Sequence, residues 1–134
     1  MIIDGKNAVL GRLGTVAAKK ALLGEEIHII NAEQIIISGS REVVFAKYMR
    51  LRKMGTPRKG PFYFTNPAQL VKRILRGMLP HRQEKGREAL ARIKCYVGVP
   101  KELEGKDAAA VGQSSLRINA VSIAEICKHI GGKQ

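Results

Sequence analysis

Acids are scarce in this sequence. Eleven Asp and Glu stand against 24 Lys and Arg, a formal net charge of +13. So few scattered carboxylates leave little for general acid/base work, and no Ser, His and Asp set or carboxylate pair stands out, so catalysis is not expected. Cysteine is nearly absent: Cys95 and Cys127 both sit in apolar segments, which excludes a disulfide framework and fits a reducing compartment. With no C-x-x-C pair, a zinc knuckle is not expected either, and no metal or cofactor is assigned. Long apolar runs are missing too, none approaching the roughly 18 residues of a spanning helix. Met1-Ile2-Ile3-Asp4 leads into polar sequence without a signal-peptide core, so the expectation is a cytoplasmic protein with no membrane partner.

What is present is ordinary for a folded chain. At 134 residues, 45% hydrophobic and 26% charged, the expectation is one domain over residues 1–134. The positive charge, however, is regional. Residues 41–94 hold 15 of the 24 Lys and Arg and three acids (Glu42, Glu84 and Glu88), net +12, while the other 80 residues are close to neutral at +1. From Lys47 to Phe64 there are six cations (Lys47, Arg50, Arg52, Lys53, Arg58 and Lys59) and no acid. Crowded like charges repel unless an anion neutralises them, so the missing anion is expected to be a nucleic acid.

Patterning supplies the scaffold. Ile2-Ile3, a helix over about Leu10 to Leu23 and the isoleucine run Glu26 to Ile30 read as one βαβ unit with buried, parallel strands. The run Gln34 to Ile37 follows too closely for a crossover and leaves three options: a bent continuation, an edge strand or a tight turn. Ser40 caps a helix to about Arg52, and the Gly- and Pro-rich stretch 55–67 predicts an extended basic loop. Asn66-Pro67 opens a helix that runs to Pro80, with Leu70, Val71, Ile74, Leu75, Met78 and Leu79 on one half of the wheel. Lys72, Arg73 and Arg76 gather on the other half, expected to face outward. A further helix through about Ala89 to Arg92 follows "PHRQEKGR", Ile93 to Val97 reads as the last strand, and Lys106 to Ser115 as a featureless loop. Ser122 to Glu125 fits a capping box for a terminal helix closed by Gly131-Gly132.

Five of the six aromatics (Phe45, Tyr48, Phe62, Tyr63 and Phe64) lie in the basic region, where RNA bases could stack on them. In "PFYF" the expectation is that Phe62 and Phe64 anchor the loop while Tyr63 faces out. Gly5, Gly11 and Gly14 match neither the P-loop nor the dinucleotide spacing, so backbone packing is their expected use and no small-molecule substrate is expected. Cys127 and His129 lie close together but read as a helix C-terminus. His28 reads as a core residue bonded to backbone.

The segments "DGKNAVLGRL" (4–13), "INAEQIIISG" (30–39), "RKGPFYF" leading to "NP", "RGMLPHR" (76–82) and "ALARIKCYVGVP" (89–100) together resemble the universal large-subunit ribosomal protein L13 family, in its archaeal and eukaryotic branch. The resemblance covers roughly residues 1–100, with 76–82 the most specific block. It implies a three-layer α/β/α fold around a small, mainly parallel four-stranded sheet. It also implies a non-catalytic component of the large ribosomal subunit, bound to large-subunit ribosomal RNA and adjoining other ribosomal proteins. The RNA contacts it implies are Lys6 and Arg12 near the first turn, Lys47, Arg50, Arg52, Lys53, Arg58 and Lys59 around the loop, and Arg73, Arg76, His81 and Arg82 around the signature block. Tyr63, Lys72, Lys85 and Arg87 join them as candidates from the same basic region. A free RNA-binding regulator and a small nucleotide-using enzyme are the competing classes.

Overall fold

A computed structural model describes residues 1–55, 58, 60, 63–112 and 119–131. Strand β1 (Ile2–Asp4) leads into helix α1 (Leu10–Leu22) and strand β2 (Ile27–Ile30), which pairs parallel with β1 in register Ile3 to Ile29. Ile3, Ile27, Ile29 and Ile30 are all buried, the fate of a parallel strand covered on both faces. Strand β4 (Ile93–Cys95) adds parallel to β2, and β5 (Ala109–Ala110) adds parallel to β1. The sheet order is β4-β2-β1-β5 and every pairing is parallel, so the expected α/β class and four-stranded sheet are present.

The second isoleucine run leaves that sheet. Asn31 adopts a left-handed conformation (φ 53°) and its Nδ2 donates to Asp4 Oδ1 at 3.0 Å, which turns the chain into a single 3-10 turn, Ala32–Gln34. The following strand β3 (Ile36–Ser38) pairs antiparallel with β6 (Ala120–Ser122) as a separate two-stranded ribbon. Ile93–Cys95 is therefore not the last strand, and the featureless stretch after Lys106 contains β5. Two alanines carry no strand signal of their own; the edge of β1 supplies it.

Helix α2 (Arg41–Lys53) starts at Ser40, whose Oγ accepts from Val43 N at 3.4 Å. Helix α3 (Pro67–Arg76) starts at Asn66, whose Oδ1 accepts from Ala68 N at 3.0 Å. It stops four residues before Pro80. Gly77, Met78 and Leu79 continue as overlapping turns, each N–H bonded to the carbonyl three residues back, because glycine weakens the helix and the residue before a proline is pushed out of the α region. Helix α4 (Glu84–Arg92) begins earlier than expected. A side chain on Gly86 would meet the carbonyl of Pro80, its Cβ far inside van der Waals contact, so only glycine lets α4 lie on that turn. Helix α5 (Ile123–His129) opens with a complete Ser122/Glu125 capping box. Gly131 follows it with a positive φ of 106°.

The core joins Leu13, Ala17 and Ala21 of α1 with Leu70, Val71 and Leu75 of α3 and Ile123 and Ile126 of α5. A Cβ on Gly14 would overlap Met78 and Leu75, so α1 and α3 cross closely there; Gly5 is equally crowded, whereas Gly11 faces open space. The His28 side chain meets other side chains rather than backbone among the described residues. Its ring stacks on Tyr96 at 5.9 Å and its Nδ1 shares a 3.1 Å hydrogen bond with the Tyr96 hydroxyl, since the β4 register sets that side chain beside it.

Candidate nucleic-acid interface

The cations of residues 41–94 divide by what surrounds them. Along α2, Val44 and Tyr48 turn inward, and Lys47, Arg50, Arg52 and Lys53 are exposed. Lys47 Nζ lies 5.7 Å from the Tyr48 ring centroid. Arg52 Nη1 donates to the carbonyl of Tyr63 at 2.6 Å and so ties the chain just before α3 to α2; most of the expected Gly- and Pro-rich loop lies outside the described residues. Arg58 is exposed; Lys59 and Phe62 lie outside the described residues.

On α3 the structure corrects the expectation of an outward cationic face. Leu70, Val71 and Leu75 are buried and Ile74 packs against the core as anticipated, but Lys72, Arg73 and Arg76 are half-buried rather than free in solvent. Long cationic side chains lay their stems along apolar surface, which draws them down between α3, α4 and the loop. The Arg73 guanidinium covers the Tyr63 ring at 5.0 Å. Arg76 Nε is out of solvent with no acceptor among the described residues. His81 is half-buried, its Nδ1 placed 3.2 Å from the Arg76 carbonyl, while Arg82, Lys85 and Arg87 are exposed on and before α4.

The aromatic expectation is inverted. Tyr63 packs against the core beneath Arg73, and Phe64 stands 44% exposed. Alternation assumes a strand. Here the Arg52 bond to the Tyr63 carbonyl and the Arg73 cation over its ring hold that ring inward, so the next residue points out.

Lys6 and Arg12 are exposed. Arg12 lies against Gly112, just past β5, whereas α3 packs on β4 at the other edge of the sheet. The candidates thus form one large group on α2, α3 and α4, with Arg12 apart.

Carboxylates are nearly absent from that group. Within residues 41–94 the ion pairs among the described residues are Arg41 with Glu125 (3.8 Å), Arg92 with Glu88 (3.9 Å) and Lys94 with Glu26 (2.8 Å). None involves Lys47, Arg50, Arg52, Lys53, Arg58, Lys72, Arg76, Arg82, Lys85 or Arg87. The Lys94 bond is the main reason the exposed Glu26 carboxyl sits below the usual range, and it holds the Lys94 ammonium above its own. Among the described residues no three His, Cys, Asp or Glu converge on a metal-sized site, and no helix is long and apolar enough to cross a membrane. His129 stacks on Phe45 at 4.3 Å while Cys127 is buried.

A family model for ribosomal protein L13 matches residues 1–102. The chain belongs to the ribosomal protein L13 family. Relatives from archaea agree along nearly the whole length. The large ribosomal subunit protein uL13 of Methanosarcina barkeri is 37% identical over 98% of both chains. That of Methanosphaera stadtmanae is 41% identical over 98% of this chain and 97% of its own, and that of Methanococcus maripaludis 40% identical over 99% and 98%. Every candidate cation of this L13 family member falls inside the matched span. Sequence reasoning missed Phe64 as the open aromatic and Gly86 as the contact that seats α4; the short spacing from Pro80 to Gly86 was the available signal for the second.

Proposed function

We propose that this protein is a non-enzymatic structural constituent of the large ribosomal subunit, working in cytoplasmic ribosomes as one domain that binds and organises large-subunit ribosomal RNA and adjoins other ribosomal proteins. The observation that carries the RNA interface is that Lys47, Arg50, Arg52, Lys53, Arg58, Lys72, Arg76, Arg82, Lys85 and Arg87 form no ion pair with a carboxylate among the described residues. Arg and Lys there replace counterions on RNA phosphates, the arginines adding two-pronged geometry. Lys6 and Arg12 contribute further contacts, Arg12 near the β5 edge and reaching a different stretch of RNA. Held between those cations and Arg12, folded RNA is recognised by shape rather than by base sequence.

Binding of purified protein to large-subunit RNA, titrated with salt, tests this. If about 6 to 10 phosphates are neutralised, affinity falls by roughly a hundredfold or more between 50 and 200 mM salt. In a sucrose gradient the protein should follow the large subunit in stoichiometric amount. Sedimentation only with free messenger RNA would replace this reading by that of a regulator. A salt-insensitive site for mononucleotides would favour the small enzyme.

A further inference from the structure

Phe64, an exposed ring, lines a cleft of about 220 Å³ together with Gln69, Lys72, Arg73, Arg76 and Leu90. Gln69 and Lys72 also wall an adjoining cleft of about 280 Å³ that reaches Lys94 and Tyr96, so the two form one trough along α3. Among the described residues no carboxylate lines either cleft. The other described aromatics are occupied: Tyr48 is buried, Phe45 lies against His129, Tyr63 under Arg73, and Tyr96 against His28. A phenylalanine held out among cations, beside an Arg76 Nε that lacks an acceptor among the described residues, is a surface with unmet demand for both a flat apolar face and an anion.

Unpaired RNA supplies both at once. In a duplex every base face is covered by its neighbours, whereas an extruded or single-stranded base offers its π face next to its own phosphate. We infer that Phe64 is a stacking platform for an unpaired RNA base, with Lys72 and Arg76 taking the phosphates on either side. The inference rests on the RNA-binding reading above and specifies the state of the strand bound at this site. An acidic peptide would satisfy the cations but has no general reason to place a ring on Phe64.

The test uses the whole protein, large-subunit RNA, and a single-stranded RNA of about ten nucleotides containing 2-aminopurine, alone or annealed to its complement; single-strand sites span roughly 4 to 16 nucleotides. Wild type should prefer the single strand and quench the 2-aminopurine. Phe64→Ala should weaken single-strand binding roughly five- to a hundredfold and abolish quenching, with thermal midpoint and salt slope unchanged. Phe64→Tyr should restore both signals, and Arg76→Gln should instead lower the salt slope by about one unit. Two results would overturn the inference: Phe64→Ala binding the single strand as wild type does, or wild type binding large-subunit RNA but not the single strand, either of which leaves Phe64 to a neighbouring protein. Failure of wild type to bind large-subunit RNA at all would overturn the proposed function itself.

Discussion

Arg92 and Arg52 are the same residue in one basic stretch of chain, yet they live in different electrostatic worlds. Arg92, at the end of α4, has Nη1 donating to the Ala21 carbonyl at 2.9 Å and Nη2 beside Glu88 at 3.9 Å. Nearby, Lys94 and Glu26 close to 2.8 Å, and Lys20 lies 3.9 Å from Glu25. This edge, where α1, β2 and β4 meet, is internally neutralised. Around α2 and α3, by contrast, beyond Arg41 with Glu125 at the start of α2, Arg52 meets a carbonyl, Lys47 meets a ring, and Arg76 leaves a nitrogen without an acceptor among the described residues. Carbonyls and π faces orient a cation without cancelling its charge. The positive field therefore survives on one side of the molecule, held in position and available to a polyanion.

The largest expected effect separates the two regions directly. Replacing Lys47, Arg50 and Lys53 together by Gln should weaken large-subunit RNA binding by about a hundredfold and flatten the salt slope by about two units, since three phosphate contacts are lost. The matched change of Lys20 and Arg92 to Gln should alter affinity less than about threefold. Equal losses from both sets in a filter-binding titration would mean that only total charge matters, and the division drawn here would collapse.

A smaller effect inverts the sign on stability. Arg92→Met removes a hydrogen bond that ties α4 to the end of α1 and should cost about 1 kcal/mol. Arg76→Met removes a donor that is out of solvent and unsatisfied, keeps most of the apolar stem, and should gain about 1 kcal/mol while weakening RNA binding. Urea unfolding of both variants reads the difference. A loss of stability in Arg76→Met would show that its guanidinium contributes to the fold despite the orphaned nitrogen. Reversing the charge of Arg73 and Arg76 together should destabilise the fold, because both side chains are half-buried.

Local chemistry explains which features could be read from the letters. Asn66-Pro67, Ser40 and the Ser122/Glu125 box satisfy helix ends with their own side chains, so their meaning is carried within a few residues. The isoleucines of β2 likewise have little choice but burial. Ala109-Ala110 becomes a strand only because β1 offers an edge, and Ile36–Ser38 pairs with β6 only because Asn31 turns left-handed. The regional charge excess was visible as composition. Which aromatic stays open was not, because that depends on Arg52 and Arg73 reaching Tyr63 from two different helices.

The two regions touch at Lys72 and Cys95, which face the same cleft, and there the smallest effect is expected. Burial pushes the Cys95 thiol up to about 12, an effect that the positive charge of Lys72 partly opposes, and burial pushes Cys127 up to about 11. Both folded values lie above the roughly 8.5 of an exposed thiol, so above that pH the native state holds protons that the unfolded chain releases. The stabilisation tied to keeping these thiols neutral is complete below about 8.5 and erodes as the pH climbs toward 11 and 12. Lys72→Gln removes the opposing charge and should raise the Cys95 thiol further, slowing its alkylation by iodoacetamide at pH 9 by less than about threefold while leaving Cys127 unchanged. Saturation with RNA should slow Cys95 in the same direction, since phosphates at Lys72 cancel that charge and cover the cleft. An unchanged Cys95 rate in the Lys72→Gln protein would mean that the ammonium reaches away from β4, and that the cationic face and the strand edge are electrostatically independent.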